Sequence, residues 1–135
     1  MKDFIIVFAV VLFITGCSNT AKQLKGKIIN ADSMAINYFK GDGTMDTVVA
    51  VKIIKDKQSI EQLTNFITGS SVSEKNNCGY DGSIHFFKND AVVQDIFFNT
   101  STESCHRFHF FLNGKRCSTL LSDEAGKFLF EIKLK

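Results

Sequence analysis

The chain contains no proline and no tryptophan, and only 9 of its 135 residues are glycine. Those scarcities exclude collagen-like repeats and proline-rich linkers. An excess of one charge is missing too: 16 Lys and Arg stand against 14 Asp and Glu, a formal net charge of +2. Such a balance offers no grip on a polyanion, so nucleic acid is not expected as a partner. There is no GxGxxG, GxxxxGK[ST] or GxSxG, which removes the usual nucleotide-binding and hydrolase signatures. What the chain has in abundance is phenylalanine, 14 residues, within a composition 44% hydrophobic and 22% charged that suits one folded domain.

Lys2 and Asp3 precede an unbroken apolar run of 11 residues, Phe4–Ile14. A spanning helix takes roughly 20 apolar residues, so this run is too short to cross a bilayer. It suits the apolar segment of an export signal. The run ends in Ile14-Thr15-Gly16-Cys17. This aliphatic, small, small, Cys tetrapeptide behind a basic start resembles the lipobox of bacterial lipoproteins. The resemblance covers residues 1–17 and implies cleavage after Gly16 with acylation of Cys17. The thiol would carry a diacylglyceryl group and the new amino group a further acyl chain. Acyl burial contributes about 0.8 kcal/mol per CH₂, and two or more chains anchor firmly. The resemblance therefore implies a lipid-anchored protein of the bacterial cell envelope. Ser18, where an Asp would argue otherwise, is compatible with an outer-membrane location facing the periplasm. On this reading residues 1–16 are the signal peptide, 17–24 the lipidated N-terminus with a short polar tether, and 25–135 a single domain.

Residues 25–40 hold short apolar alternations and read as one or two strands. Gly41-Asp42-Gly43-Thr44 is a turn signal and residues 46–55 are β-branched, so 34–55 is expected to be a hairpin. Residues 57–69 change period: Ile60, Leu63, Phe66 and Ile67 share one helical face. Ser59 with Gln62 suits a capping box there, Asp56 is a competing cap, and Gly69 is the stop signal. Four strands follow at 82–88, 91–98, 106–112 and 115–121, with Asn89-Asp90 and Asn113-Gly114 as two-residue hairpin turns. A last helix begins at Ser122, carries Asp123 and Glu124 in its first turn, and turns Ala125, Phe128, Leu129 and Ile132 inward. The expected fold is α+β: an antiparallel sheet with two helices on one face, in the order β-β-α-β-β-β-β-α. From the strand at 46–55 onward this order is similar to that of TATA-binding-protein-like domains. The similarity is one of element order and implies no function.

Three successive strands each carry a Phe doublet: Phe86-Phe87, Phe97-Phe98 and Phe110-Phe111. Neighbours on a strand point to opposite faces, so each doublet sets one ring on each side of the sheet. The helices cover one side. The other rings are either buried, under residues 18–40 or by the sheet's own curl, or exposed as an apolar surface for a partner. These six residues are the candidate partner-binding set, for an unknown protein or an envelope polymer. Self-association of a structural envelope component is the remaining use of such a face.

Beyond Cys17, the sequence holds Cys78, Cys105 and Cys117. An exported domain meets an oxidising compartment, where pairing is expected. If Asn89-Asp90 turns the chain, the start of the strand at 82 and the end of the strand at 91–98 meet at one end of the sheet, where Cys105 opens the next strand. A disulfide between Cys78 and Cys105 is expected, and closing that loop contributes roughly 3–4 kcal/mol in the chain-entropy treatment. Cys117 faces Phe110 across the 113–114 turn and reads as a small buried residue. A metal site drawn from Cys105, His106, His109, His85 and Cys117 is disfavoured. Cys105 and His109 stand about 13 Å apart along a strand, and no CxxC, HxH or HExxH spacing is present. Cys117 and His109 take opposite faces, which removes the thiol–base contact that nucleophilic catalysis needs. Asp42 and Asp46 lack the further oxygen ligands of a calcium loop. The expectation is a non-catalytic binding or accessory domain, with no metal and no cofactor; the alternative is a small envelope enzyme using a thiol or an acid.

Overall fold

A computed structural model describes residues 20–41, 45, 47–73, 78–100 and 103–135. The leader, Cys17 and the turn residues Asp42 to Thr44 lie outside the described residues. The elements run α1 (Thr20–Ile28), β1 (Ser33–Phe39), β2 (Val48–Ile54), α2 (Lys57–Ile67), β3 (Gly82–Lys88), β4 (Ala91–Asn99), β5 (Arg107–Leu112), β6 (Lys115–Leu120) and α3 (Asp123–Leu134). A short 3-10 turn, Glu103–Cys105, precedes β5. The fold is α+β, an open antiparallel sheet of six strands ordered β2-β1-β3-β4-β5-β6.

Two hairpin turns set the register of the C-terminal half. Asn89 and Asp90 hold φ of 51° and 64°, and Asn113 and Gly114 hold 53° and 75°. A two-residue turn of the hairpin type needs positive φ at both positions, which Asn, Asp and Gly tolerate best. The second turn pairs Leu112 with Lys115 and continues in register to Arg107 with Leu120. The first is interrupted: pairing shifts by one residue between Phe86 and Phe87, so Val93 is an extra residue on β4.

The helix starts follow the acceptors available. α2 is capped by Asp56, whose carboxylate accepts from the Ser59 amide at 2.9 Å. Ser59 is thereby a residue of the first turn rather than the cap, because an ionised oxygen is the stronger acceptor for the unpaired amides. Hydrogen bonding from the Ser59 hydroxyl, and then from its amide, holds the Asp56 carboxyl below the usual carboxylate range. α2 closes at Thr68, whose amide donates to the Thr64 carbonyl, one residue before the expected Gly69. α3 starts as expected: the Ser122 hydroxyl accepts from the Ala125 amide at 3.1 Å.

The sequence reading and the structure part at the N-terminal end. Residues 20–28 form a helix, where a tether to residue 24 and then a strand were expected, so three helices rather than two cover the sheet. Leu24 and Ile28, four apart, are both fully buried in the core. Burying such side chains contributes about 1.5–3 kcal/mol each, and this holds a helix too short to persist alone.

All three helices lie on one face. Met34, Ile36, Ile84, Phe86, Ile96, Phe98, Phe108 and Phe110 point from the strands into one core cluster with Leu24, Ile60, Leu63, Ile67 and Leu129. Tyr38 joins them because its hydroxyl donates to the Leu129 carbonyl at 2.6 Å. Gly82 pairs with Phe98 across β3 and β4, and the ring lies so close over the glycine that an added Cβ would overlap it and the Asn37 carbonyl.

The two margins of the sheet differ. Along β6 the Val72 amide donates to the Ser118 carbonyl at 3.1 Å, and the Leu120 amide donates to the Ser70 carbonyl at 2.8 Å. Along β2, no segment among the described residues pairs with the outer side, and Val49, Val51 and Ile53 are exposed there.

Candidate functional site

Strand alternation decides what the helix-free face carries. Phe86, Phe98 and Phe110 pack into the core, and their doublet neighbours Phe87, Phe97 and Phe111 point the other way. Phe87 and Phe97 are half-buried, while Phe111 is 60% exposed. The six rings therefore divide by face, and residues 20–40 do not cover the outer three: α1 packs on the helix side and β1 lies within the sheet.

The register lays out this face in rows. One crosses all six strands through Val51, Asn37, Ser83, Phe97, His109 and Ser118. The next runs from Ile53 through Ala35 and His85 to Asp95. The β2 side is thus aliphatic, the centre polar and the β4–β5 side aromatic. Val92 and Phe111 continue the apolar surface and, with Asp95 and Phe97, line a shallow hollow of about 320 Å³.

The polar centre is a chain of hydrogen bonds. His85 Nδ1 lies 2.5 Å from Asp95 Oδ1, and its Nε2 lies 3.1 Å from Ser83 Oγ and 3.2 Å from Asn37 Nδ2. The carboxylate favours the proton on Nδ1, which leaves Nε2 to accept from the hydroxyl or the amide. Ser83, His85 and Asp95 thus stand in the order of a hydrolytic triad. Two features count against nucleophilic use. Ser83 is only 3% exposed. It also sits on a strand paired on both sides, whose backbone amides belong to the ladder rather than to an oxyanion hole.

The aromatic side is held from the loop before β3. Tyr80 stacks on Phe97 with centroids 4.9 Å apart, leans on His109 at 5.3 Å, and accepts a hydrogen bond from Arg116 Nη2 at 2.9 Å. His109 is buried beneath it, its Nδ1 2.9 Å from Ser118 Oγ. Three ties fix that loop. Cys78 and Cys105, the pair expected to join, lie at disulfide-bonding distance with Cα atoms 5.8 Å apart. Asn99 Nδ2 donates to the Gly79 carbonyl at 2.6 Å, and the Thr100 amide donates to Asp81 Oδ2 at 2.6 Å. Tyr80 is therefore presented on the open face already ordered, which lowers the entropic cost of any contact it makes.

Cys117 is buried opposite Phe110 on the helix side, and His109 lies on the other face beside Ser118. No thiol–imidazole pair forms there. Among the described residues no group of three His, Cys, Asp or Glu gathers at metal-binding distance, and no helix is long and apolar enough to cross a membrane. Sequence reasoning missed the Asn37–Ser83–His85–Asp95 constellation and Tyr80. Ser83 and His85 share a face by their spacing of two, a signal that was available. No protein-family model, curated protein or solved structure matches the chain.

Proposed function

We propose that the chain is a lipid-anchored binding module of the bacterial cell envelope. It is held to a membrane through acylated Cys17 and engages another protein with the open face of its sheet. The observation that carries the binding role is the division of the Phe doublets. One face is filled by three helices, while the other leaves Phe111, Val92, Val51 and Ile53 exposed around an ordered polar centre. Exposed apolar patches flanking a polar centre on one helix-free face mark an interaction site. The part-buried hydrogen-bond chain gives it fixed donors and acceptors for specificity. The lipobox resemblance supports the anchor, and the Cys78–Cys105 pair suits an oxidising compartment.

The test is a photo-crosslinking residue placed at Phe111 or Val92 in the cell-bound protein, with one at Phe130 on the exposed side of α3 as control. A defined protein adduct from the first two positions, absent at Phe130 and abolished by Asp95→Ala, supports the reading. Adducts without face preference, or adducts to polysaccharide alone, overturn the protein-binding role. A second reading, hydrolysis through Ser83, is favoured by the Ser83–His85–Asp95 chain alone. It is tested with a fluorophosphonate probe: labelling lost in Ser83→Ala and in His85→Ala supports it, and no labelling of folded protein refutes it.

A further inference from the structure

We propose that the lysine-rich end of the domain, where α1 begins, rests on the anionic phospholipid headgroups of the membrane that holds the anchor. The proposal rests on acylation of Cys17 and adds an orientation to it. Only Ser18 and Asn19 separate Cys17 from the first residue of α1. At no more than ~3.6 Å per residue, the lipidated cysteine stands within about 11 Å of the helix start. Leu24 and Ile28 fix α1 to the core, so the domain cannot swing away on a long leash.

Two hydrogen bonds locate that helix. Asn113 Nδ2 donates to Gln23 Oε1 at 3.1 Å, which seats the first turn of α1 beside the β5–β6 turn. Beyond its far end, the Asn89 amide donates to Asp32 Oδ2 at 2.9 Å, which seats the chain beside the β3–β4 turn. Both hairpin turns and the end of β2, where Ile54 pairs with Met34, thus share one end of the sheet with α1.

Charge is segregated along the same axis. α1 contributes exposed Lys22, Lys25 and Lys27, and the neighbouring strand ends contribute exposed Lys55, Lys88 and Lys115. The acids there are Asp32, Asp56 and Asp90, of which the first two accept from the Asn89 and Ser59 amides; Lys57 and Glu61 offset each other one turn apart on α2. The opposite end, where β3 and β5 begin and β6 finishes, carries Asp81, Glu103, Asp123 and Glu124 against Lys40 and Arg107. A nearly neutral protein therefore turns its positive end toward the anchor. The reach to the lipid is close to the ~8 Å over which surface charge acts at physiological salt. Each lysine held near an anionic surface strengthens the contact by about fivefold. The strands then stand upright on the bilayer and the open face looks sideways, with Phe111 near the lipid and Tyr80 at the distal end.

The experiment uses the full chain, processed by its own cells and purified with its native modification. Intact mass decides first whether Cys17 is acylated; an unmodified Cys17 refutes the anchor, and this docking with it. Acylated protein with a fluorophore on Ala91→Cys, beside the β3–β4 turn, or on Glu103→Cys, at the far end, is reconstituted into two vesicle types. One is phosphatidylcholine alone and the other contains a quarter phosphatidylglycerol; both carry a headgroup-linked nitroxide quencher. Docking predicts severalfold stronger quenching at position 91 than at 103 in the anionic vesicles. That contrast should shrink in phosphatidylcholine, in 0.5 M salt, and in the variant Lys22→Ala, Lys25→Ala, Lys88→Ala. Equal quenching at the two positions in the anionic vesicles, or a contrast indifferent to lipid charge, salt and the lysines, overturns the orientation and leaves the anchor standing.

Discussion

Truncating one ring of the Phe110-Phe111 doublet at a time weighs the two faces of the sheet against each other. Phe110 is 1% exposed and lies opposite Cys117 in the core, whereas Phe111 is 60% exposed and lies opposite Arg116. A phenylalanine covers about 200 Å². Folding hides nearly all of that at position 110 and about 80 Å² at position 111, worth about 5 and 2 kcal/mol at ~25 cal/mol per Å². Both are upper bounds, because an unfolded chain already shelters part of each ring. Core truncations of Phe cost about 3–5 kcal/mol. We therefore expect about 4 kcal/mol for Phe110→Ala and about 1 kcal/mol for Phe111→Ala. With a urea dependence of about 2 kcal/mol per M, the two midpoints separate by about 1.5 M. Urea titration followed by far-ultraviolet circular dichroism measures this directly. Equal losses, or a larger loss at 111, would refute the division of faces. The same order is expected for Phe86 over Phe87 and Phe98 over Phe97. Because Phe111→Ala leaves most of the stability intact, it also separates binding from folding: this variant should fold and fail to engage the partner.

Replacing Cys78 and Cys105 together by Ser should cost roughly 3–4 kcal/mol in urea titration; reductant added to the unmodified protein should reproduce that loss, and an unchanged midpoint would sink the pairing. Gly82→Ala drives a methyl into the Phe98 ring and the Asn37 carbonyl and should cost about 2–3 kcal/mol. Gly79→Ala, which meets nothing within 4 Å, should stay within about 0.5 kcal/mol, and equal effects at the two glycines would refute the close packing. Burial pushes the Tyr38 phenol above its ordinary value of 10.0. Past that pH the unfolded chain releases a proton that the folded chain retains, so the unfolded state binds fewer protons and stability falls as pH rises. Thermal melts across pH 9 to 11 should show that decline weakened in Tyr38→Phe, and an identical slope would count against it.

The strands were legible because doublets and turns carry local chemistry. Asn89-Asp90 and Asn113-Gly114 announce positive φ, and each Phe pair must straddle the sheet whatever covers it. Helix α1 was not legible for a reason of arithmetic. Two apolar residues, Leu24 and Ile28, among three lysines and Gly26 make too thin a stripe to stand out, and the helix exists because the core accepts those two side chains. The polar centre was hidden by a single inserted residue. An uninterrupted two-residue hairpin at 89–90 would set His85 across from Gln94. The bulge at Val93 moves Asp95 into that place, and nothing in the local sequence marks a bulge there. Asp56 prevailed over Ser59 at the start of α2 for a reason the sequence did contain, the greater strength of a charged acceptor. The acylation motif is read from residues 1–17: a basic start, an apolar run, small residues and a Cys behind them.

The unequal margins described for the sheet limit how it can grow. With Ser70 and Val72 occupying the β6 side, any incoming strand is directed to β2, where backbone groups and the aliphatic side chains of Val49, Val51 and Ile53 stand ready. Were two copies to meet there, each would use up the sheet margin left open among the described residues, and that seam would join a pair. Among the described residues, cover on one border and none on the other thus disfavours end-to-end polymerisation, at the expense of a sticky β2 border.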